Sequence, residues 1–97
     1  MHVLQIEHPI SDFGTWRAAF DRFSDKRQQS GVRRHRVFRP VEDPNYVALD
    51  LEFESEGDAE AFLGWLRREV WSSREASPAL AGDPQTRIAR VMDSQEY

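Results

Sequence analysis

Three histidines are the only side chains of this sequence that titrate near neutral pH in their ordinary state: His2, His8 and His35. His8 stands before Pro9 at the end of an apolar stretch, and His35 lies within the basic run VRRHRVFR. A neutral imidazole at either place could act as a general base on a small substrate. Each also has a structural alternative, because His8 can hydrogen-bond the backbone at a strand end and His35 can be a polar residue on a sheet face. We take His8 and His35 as the candidate catalytic residues.

Two tryptophans are candidates for the wall of a binding pocket. Trp16 belongs to the stripe Phe13, Trp16, Phe20 and Phe23, whose spacing of three, four and three is typical of one helix face. The stripe predicts core packing, although an indole N–H needs a partner and suits the edge of a pocket. Trp65 lies off the apolar stripe of a later helix, so it either covers the mouth of a cavity or packs against a second subunit.

Several chemistries are excluded by the residues that are missing. The chain has no cysteine, which removes disulfides, thiolate catalysis and Cys-based metal sites. Its three histidines do not cluster with acids at the spacing of metal ligands. The five glycines are scattered rather than gathered in a phosphate-binding loop, and no serine lies in a Gly-x-Ser-x-Gly setting. We therefore expect no metal and no cofactor.

Length and charge limit the possible partners. The 97 residues fit a single domain, residues 1–97, with a thin core that a second copy would help to bury. The chain has 13 Lys and Arg against 17 Asp and Glu, and the resulting net charge of -4 argues against nucleic acid and anionic membranes as partners. The first residues, MHVLQIEHPI, do not resemble a signal peptide. We expect a soluble cytoplasmic protein.

The first half of the chain predicts a strand, a long helix and a second strand. Residues 2–7 are β-prone and end before Pro9. Ser11 or Asp12 then caps a helix that should run to about Ser30, with Gly31 as its C-terminal stop. Residues 32–39 form the second predicted strand, and residues 40–45 a turn-rich connector. The polar side of the helix is expected to face solvent; it carries Arg17, Asp21, Arg22, Asp25, Lys26 and Arg27.

The second half completes the order βαββαβ. In NYVALDLEFE, apolar residues alternate with polar ones as in a half-buried strand. Ser55 and Asp58 resemble a capping box that opens a helix reaching about Trp71. Residues 72–84 are weakly patterned, and residues 85–92 form the fourth strand. This order predicts an α+β, ferredoxin-like fold with a four-stranded antiparallel sheet and both helices on one face.

The order of elements and several local patterns resemble the dimeric α/β-barrel superfamily, which includes antibiotic-biosynthesis-monooxygenase-like small bacterial proteins. The resemblance implies a homodimer in which two sheets face each other and form a barrel. It implies no particular chemistry, because members include cofactor-independent monooxygenases, haem-degrading enzymes, isomerases and binding proteins. The residues that carry the resemblance are His8, Asp12, Trp16, Ala19-Phe20-Asp21, Gly31-Val32, the tip of the predicted hairpin Asp43-Pro44-Asn45, Leu51-Glu52-Phe53 and Ala61-Phe62-Leu63.

The helix-free face of the sheet is the other candidate location for a site. Strand three presents Tyr46, Ala48, Asp50 and Glu52 there. Strand two presents either the set that contains Arg34 and Arg36 or the set that contains His35, since the sequence does not fix its register. The charges either pair across strands and form a polar dimer interface, or they hold an anionic ligand. Candidate ligand-binding residues are Trp16, Arg34, Arg36, Tyr46, Asp50 and Trp65.

Three functions remain. The first is binding of a small aromatic or anionic metabolite in a cavity by the sheet. The second is a cofactor-independent monooxygenase-like enzyme that acts on an aromatic or quinone-like metabolite, with His8, His35 and an arginine of strand two at the site. The third is a non-catalytic structural dimer.

Overall fold

The chain folds into one four-stranded sheet covered on one side by helices. A computed structural model describes all 97 residues. A π-helical turn, Leu66–Val70, continues the last helix without a break. The elements are β1 His2–Pro9, α1 Phe13–Arg22, α2 Ser24–Gln29, β2 Arg34–Phe38, β3 Tyr46–Phe53, α3 Glu56–Trp65 and β4 Gln85–Arg90.

The strands lie in the order β2-β3-β1-β4, and each neighbouring pair is antiparallel. Leu51 of β3 pairs with Leu4 of β1 on one side and with His35 of β2 on the other. Leu4 in turn pairs with Ile88 of β4. This is the predicted ferredoxin-like topology, which is confirmed.

The alternation of β3 decides which face of the sheet is the core. Val47, Leu49, Leu51 and Phe53 are buried against the helices, while the residues between them are half-buried on the other face. Directly paired residues of neighbouring strands point to the same face. Arg34 and Arg36 are opposite Glu52 and Asp50, so they lie on the helix-free face, and His35 lies on the helix side.

The first predicted helix is divided in two. Phe23 leaves the helical region at φ -101° and ψ 19°, and its N–H donates to the Phe20 carbonyl oxygen three residues back, at 3.2 Å. A second helix, α2, restarts at Ser24. The predicted ends are confirmed: Asp12 accepts from the Thr15 N–H at the start, and Gly31 follows α2 with φ +94°. The two Thr15 hydrogen bonds also lower the pKa of the Asp12 carboxyl.

The end of β1 also differs from expectation. β1 continues through Pro9, because Pro9 pairs with Tyr46 and the following Ile10 N–H donates to Asn45. The second predicted helix begins after Ser55 as expected, and the Ser55 hydroxyl accepts from the Asp58 N–H. Residues 72–84 contain turns and no regular helix. No helix has both the length and the apolar character that crossing a membrane requires.

Candidate functional site

A cavity lies between the helices and the core face of the sheet. Its volume is about 70 Å³, whereas a single water needs only about 10–15 Å³ by the same measure. The lining is mostly apolar and aromatic; its polar members are His8, Arg27 and Ser77, and its aromatic members are Trp16, Phe20, Phe23, Phe62, Trp65 and Trp71.

His8 is a polar group set in the floor of this cavity. β1 alternates, so His8 points to the same face as Leu4 and Ile6, and only 3% of its surface is exposed. Its Nδ1 lies 2.9 Å from the Pro9 carbonyl oxygen. A carbonyl oxygen only accepts, so Nδ1 carries the hydrogen and Nε2 of the neutral ring is an acceptor.

The electrostatics of His8 favour its neutral form. Burial lowers the pKa of His8, and the hydrogen bond to Pro9 opposes this only in part. Nε2 makes no hydrogen bond within the protein. Every fully buried side-chain nitrogen or oxygen in the structure has a hydrogen-bond partner, so Nε2 is not fully buried. Nε2 is therefore accessible. At neutral pH His8 is therefore a neutral residue of the cavity lining whose Nε2 is free to accept a hydrogen bond.

Aromatic rings form much of the rest of the wall. Trp16, 9% exposed, stacks on Phe20 with ring centroids 4.9 Å apart and planes at 21°. Trp65 meets Phe23 edge to face at 5.4 Å and also contacts Phe62. Both tryptophans proposed from sequence as pocket walls thus line the same cavity.

Arg27 is the residue that the sequence reasoning misplaced. It was expected on the solvent side of the first helix, but only 7% of it is exposed and it lines the cavity. Its Cζ lies 3.6 Å from the Phe20 ring centroid, and Nη1 donates to the Phe20 carbonyl oxygen at 2.7 Å. A signal was present: Arg27 lies four residues after Phe23, so it continues the 3-4-3 aromatic stripe by one more step.

Ser77 closes the cavity where the chain leaves the π-helical turn. Its hydroxyl lies 2.8 Å from the carbonyl oxygens of both Val70 and Ser73. The single hydroxyl hydrogen is therefore used by the backbone. Sequence patterning gave no indication of Ser77, because the segment around it is irregular.

His35 lies outside the cavity. It projects from the helix side of β2 at the sheet edge, and its ring meets Phe20 edge to face at 5.2 Å. Much of the side chain is exposed. Partial burial of the ring and then the charges of Arg27 and Arg17 lower the pKa of His35.

The remaining candidates lie on the opposite face of the sheet, away from the cavity. Arg34 pairs with Glu52, with Nε 2.6 Å from Oε2. Tyr46 donates its hydroxyl to Glu7 at 2.8 Å, and this hydrogen bond raises the pKa of Tyr46. Arg36 is opposite Asp50 in the ladder, and its Cζ lies 5.0 Å from the centroid of the Phe38 ring. The sequence candidates thus form two groups that the sheet separates.

The helix-free face carries charges of both signs. A polar depression lies on this face between β1, β3 and β4, with Asp50 and Arg87 in its lining. Its basic residues are Arg34, Arg36 and Arg87, and its acidic residues are Glu7, Asp50 and Glu52. No cluster of histidines and acids suited to a metal ion occurs on this face or elsewhere.

Several solved structures of low sequence identity share this fold. A protein from Nitrosomonas europaea, provisionally named an antibiotic biosynthesis monooxygenase, is 16% identical, with a TM-score of 0.67 over 96% of this chain and 100% of that one. A Deinococcus radiodurans protein with the same provisional name is 10% identical, with a TM-score of 0.68 over 100% and 98%. A dimeric ferredoxin-like protein from an uncultured marine organism is 8% identical, with a TM-score of 0.65 over 97% of each chain.

No family model and no curated protein matches the chain in sequence. At identities this low, the structural likeness shows the fold alone. The predicted resemblance is confirmed at that level: the chain has the ferredoxin-like fold of dimeric ferredoxin-like proteins and of antibiotic-biosynthesis-monooxygenase-like proteins.

Proposed function

We propose that the protein binds a small hydroxylated aromatic molecule in the cavity between the helices and the sheet, with the ligand hydroxyl donating to Nε2 of His8. The observation that carries this proposal is the accessible Nε2 of a neutral, buried histidine in an otherwise apolar wall. Pockets of this type bind through apolar contact and use a few polar groups to orient the ligand.

The chemistry of the wall supports an aromatic ligand. Trp16 and Trp65 offer ring faces and edges, which pack well against a planar molecule. Nε2 of neutral His8 only accepts, so it favours a ligand with an O–H over an ether or a ketone at that position. His35 is outside the cavity, and we therefore propose His8 rather than His35 as the polar group at the ligand.

A second candidate is oxygenation of such a ligand without a cofactor, as the provisional names of two similar structures suggest. In that reaction His8 would first act as a base. The ligand O–H bond breaks, the proton moves to Nε2, and the electron pair stays on the ligand oxygen. Dioxygen would be the co-reactant and the oxidant: one of its oxygen atoms would form a second carbonyl on the ring, and the other would leave as water with the hydrogens lost from the O–H and the adjacent C–H. Oxygen uptake with 2-naphthol that His8→Phe abolishes would support this candidate.

Binding is tested by calorimetry with 2-naphthol and its methyl ether, 2-methoxynaphthalene. We expect 2-naphthol to bind more tightly, and His8→Phe to reduce its affinity about two- to twelvefold, since a neutral hydrogen bond contributes about 0.5–1.5 kcal/mol. The affinity of the ether should not change. In this variant the Pro9 carbonyl still accepts from the Ala81 N–H.

The matched control is His35→Phe, the same substitution outside the cavity, which should leave both affinities unchanged. Native mass spectrometry of the protein as purified from cells would show whether a ligand is already bound. Equal affinities for 2-naphthol and its ether, or binding of neither, would overturn the proposal.

We also infer that two copies pair through the helix-free faces of their sheets. The balanced charges of this face suit a surface that meets its own copy, because each sign finds the other across a two-fold axis. The similar proteins from marine organisms are described as dimeric. If the pair only serves assembly, the protein is a structural dimer, and the cavity should then bind no aromatic probe.

A further inference from the structure

We propose that Arg27 is an anion-binding residue at the second end of the cavity, and that the ligand is a hydroxylated aromatic carboxylate that reaches from His8 to Arg27. This inference rests on the proposed function, since it assigns the other end of the same ligand. It makes Arg27 a specificity-determining residue.

Arg27 is a buried cation without a carboxylate partner. The ion pairs of the structure are Arg17–Asp21, Arg33–Glu54 and Arg34–Glu52, and none includes Arg27. Its polar contact within the protein is the hydrogen bond to the Phe20 carbonyl oxygen. A buried charge is normally paired, because removing it from water costs free energy that a neutral partner offsets only in part.

The guanidinium has donors to spare. It carries five N–H groups, and the structure uses one of them, on Nη1. Nε and Nη2 make no hydrogen bond within the protein. Because every fully buried side-chain nitrogen in the structure has a hydrogen-bond partner, these two atoms are not fully buried and remain accessible. Burial lowers the pKa of Arg27, with the charge of Asp21 opposing it, but a guanidinium stays protonated near neutral pH.

The nearest acid does not neutralise this charge by contact. Asp21 is exposed, and its Oδ1 lies 3.2 Å from Nε of Arg17 in a surface ion pair. Arg17, whose Cζ lies 5.8 Å from the Phe20 ring centroid, is the partner of Asp21, so these two charges largely cancel and Arg27 supplies the positive charge of this end. This end of the cavity is therefore electropositive in a chain whose net charge is -4.

The contacts of Arg27 place it near a different row of the sheet from that of His8. Arg27 and His35 both contact the Phe20 ring, and His35 belongs to the ladder row of Leu51 and Leu4. His8 is four residues further along β1 than Leu4, which is roughly 14 Å along the strand. Ile6 and Leu49 line the cavity floor between these rows, and Leu51 lines it in the row of Leu4. A ligand that reaches both ends needs an apolar aromatic body between its polar groups.

A carboxylate fits this end better than a phosphate. A guanidinium binds a carboxylate through two parallel hydrogen bonds. Arg27 is the only cationic side chain in the cavity lining. A phosphate dianion would retain uncompensated negative charge beside the apolar wall, which is unfavourable.

The test compares 6-hydroxy-2-naphthoate with its methyl ester and with 2-naphthol by calorimetry. We expect the acid to bind the wild-type protein at least tenfold more tightly than the ester. Arg27→Met keeps the apolar length of the side chain and removes the charge, so acid and ester should then bind equally. Arg17→Met is the matched control, because it removes a cation that contacts the same ring from outside the cavity, and it should preserve the preference.

The comparison of acid and ester on the wild-type protein needs no variant, so the proposal stays testable if Arg27→Met fails to fold. Equal affinities for acid and ester, with 2-naphthol bound, would overturn the role of Arg27 and leave the proposed function intact. A preference that Arg17→Met abolishes and Arg27→Met preserves would also overturn it. If none of the three compounds binds, the proposed function itself fails.

Discussion

The Cζ atom of Arg27 lies 3.6 Å from the centroid of the Phe20 ring, while Nη1 donates to the Phe20 carbonyl oxygen at 2.7 Å. One residue thus fixes Arg27 through both its ring and its backbone. The same ring stacks on Trp16. The charge and the aromatic wall of the cavity are therefore held as a unit, which reduces the entropy lost when a ligand binds.

We expect Arg27→Met to leave the free energy of unfolding unchanged within about 1 kcal/mol. The loss of one hydrogen bond costs about 0.5–1.5 kcal/mol, and relief from burying an unpaired charge offsets it. Urea unfolding followed by tryptophan fluorescence measures this, with Arg17→Met as the surface control. A loss of more than about 3 kcal/mol, the level at which breaking a buried pair is felt, would indicate that Arg27 serves the fold rather than a ligand.

Stability should fall as the pH is lowered through the range below the ordinary histidine pKa of 6.5. The pKa of His8 is lower in the folded protein, so the unfolded chain binds more protons in this range and is favoured there. One proton changes stability by at most about 1.4 kcal/mol per pH unit. His35 has a lowered pKa and acts in the same direction.

The two histidines are separated by unfolding His8→Phe and His35→Phe at several pH values. His8→Phe should remove the larger part of the slope between neutral pH and pH 5, because His8 is the more deeply buried. An unchanged slope in His8→Phe would show that its ring is protonated as readily in the folded protein as in the unfolded chain.

The parts of the fold that the sequence predicts correctly are those that depend on local patterns of residues. The alternation of β3 identifies its buried face without any knowledge of its neighbours, because side chains of a strand alternate with period 2. Asp12, Ser55 and Gly31 mark helix ends through bonds or dihedrals within a few residues. Trp16 was predicted as a cavity wall residue on the same kind of local pattern, since helical periodicity places it on the inner side, whereas Trp65 lies off the apolar stripe of its helix.

The site itself depended on contacts between distant residues. The register of β2 follows from its pairing with β3, and it places Arg34 and His35 on opposite faces. Composition suggests that a charged residue such as Arg27 faces water. The 3-4-3 aromatic stripe continues to Arg27 and so indicates the inner side of the helix, but the contact of its guanidinium with the Phe20 ring is visible only in the structure.

Gly31→Ala should destabilise the protein by more than about 1 kcal/mol, because an alanine is strained at φ +94° and gains nothing that offsets this. The new Cβ would also lie 3.2 Å from Oδ2 of Asp58. Gly57→Ala is the matched control, since its nearest neighbour is Ser55 Oγ at 4.0 Å and it lies within α3. That change should stabilise the protein by up to about 1 kcal/mol. Equal midpoints of thermal unfolding for the two variants would contradict the account of Gly31.

The double variant Asp50→Asn with Glu52→Gln should weaken the proposed dimer at least tenfold without affecting the cavity. Both residues lie on the helix-free face, and Glu52 is the ion-pair partner of Arg34. Their neutralisation leaves Arg36 and Arg87 to face the same excess of positive charge on the other copy, and like charges across an interface disfavour association.

Sedimentation equilibrium at several protein concentrations measures this effect. Glu60→Gln with Glu69→Gln is a control of equal charge change, because both residues are exposed on the helix side. It should leave the dimer intact. If the mass of the Asp50/Glu52 variant stays that of a dimer while 2-naphthol still binds, the two copies pair through another surface. If the wild-type protein is a monomer, the charges of the helix-free face serve only cross-strand pairing such as that of Arg34 with Glu52.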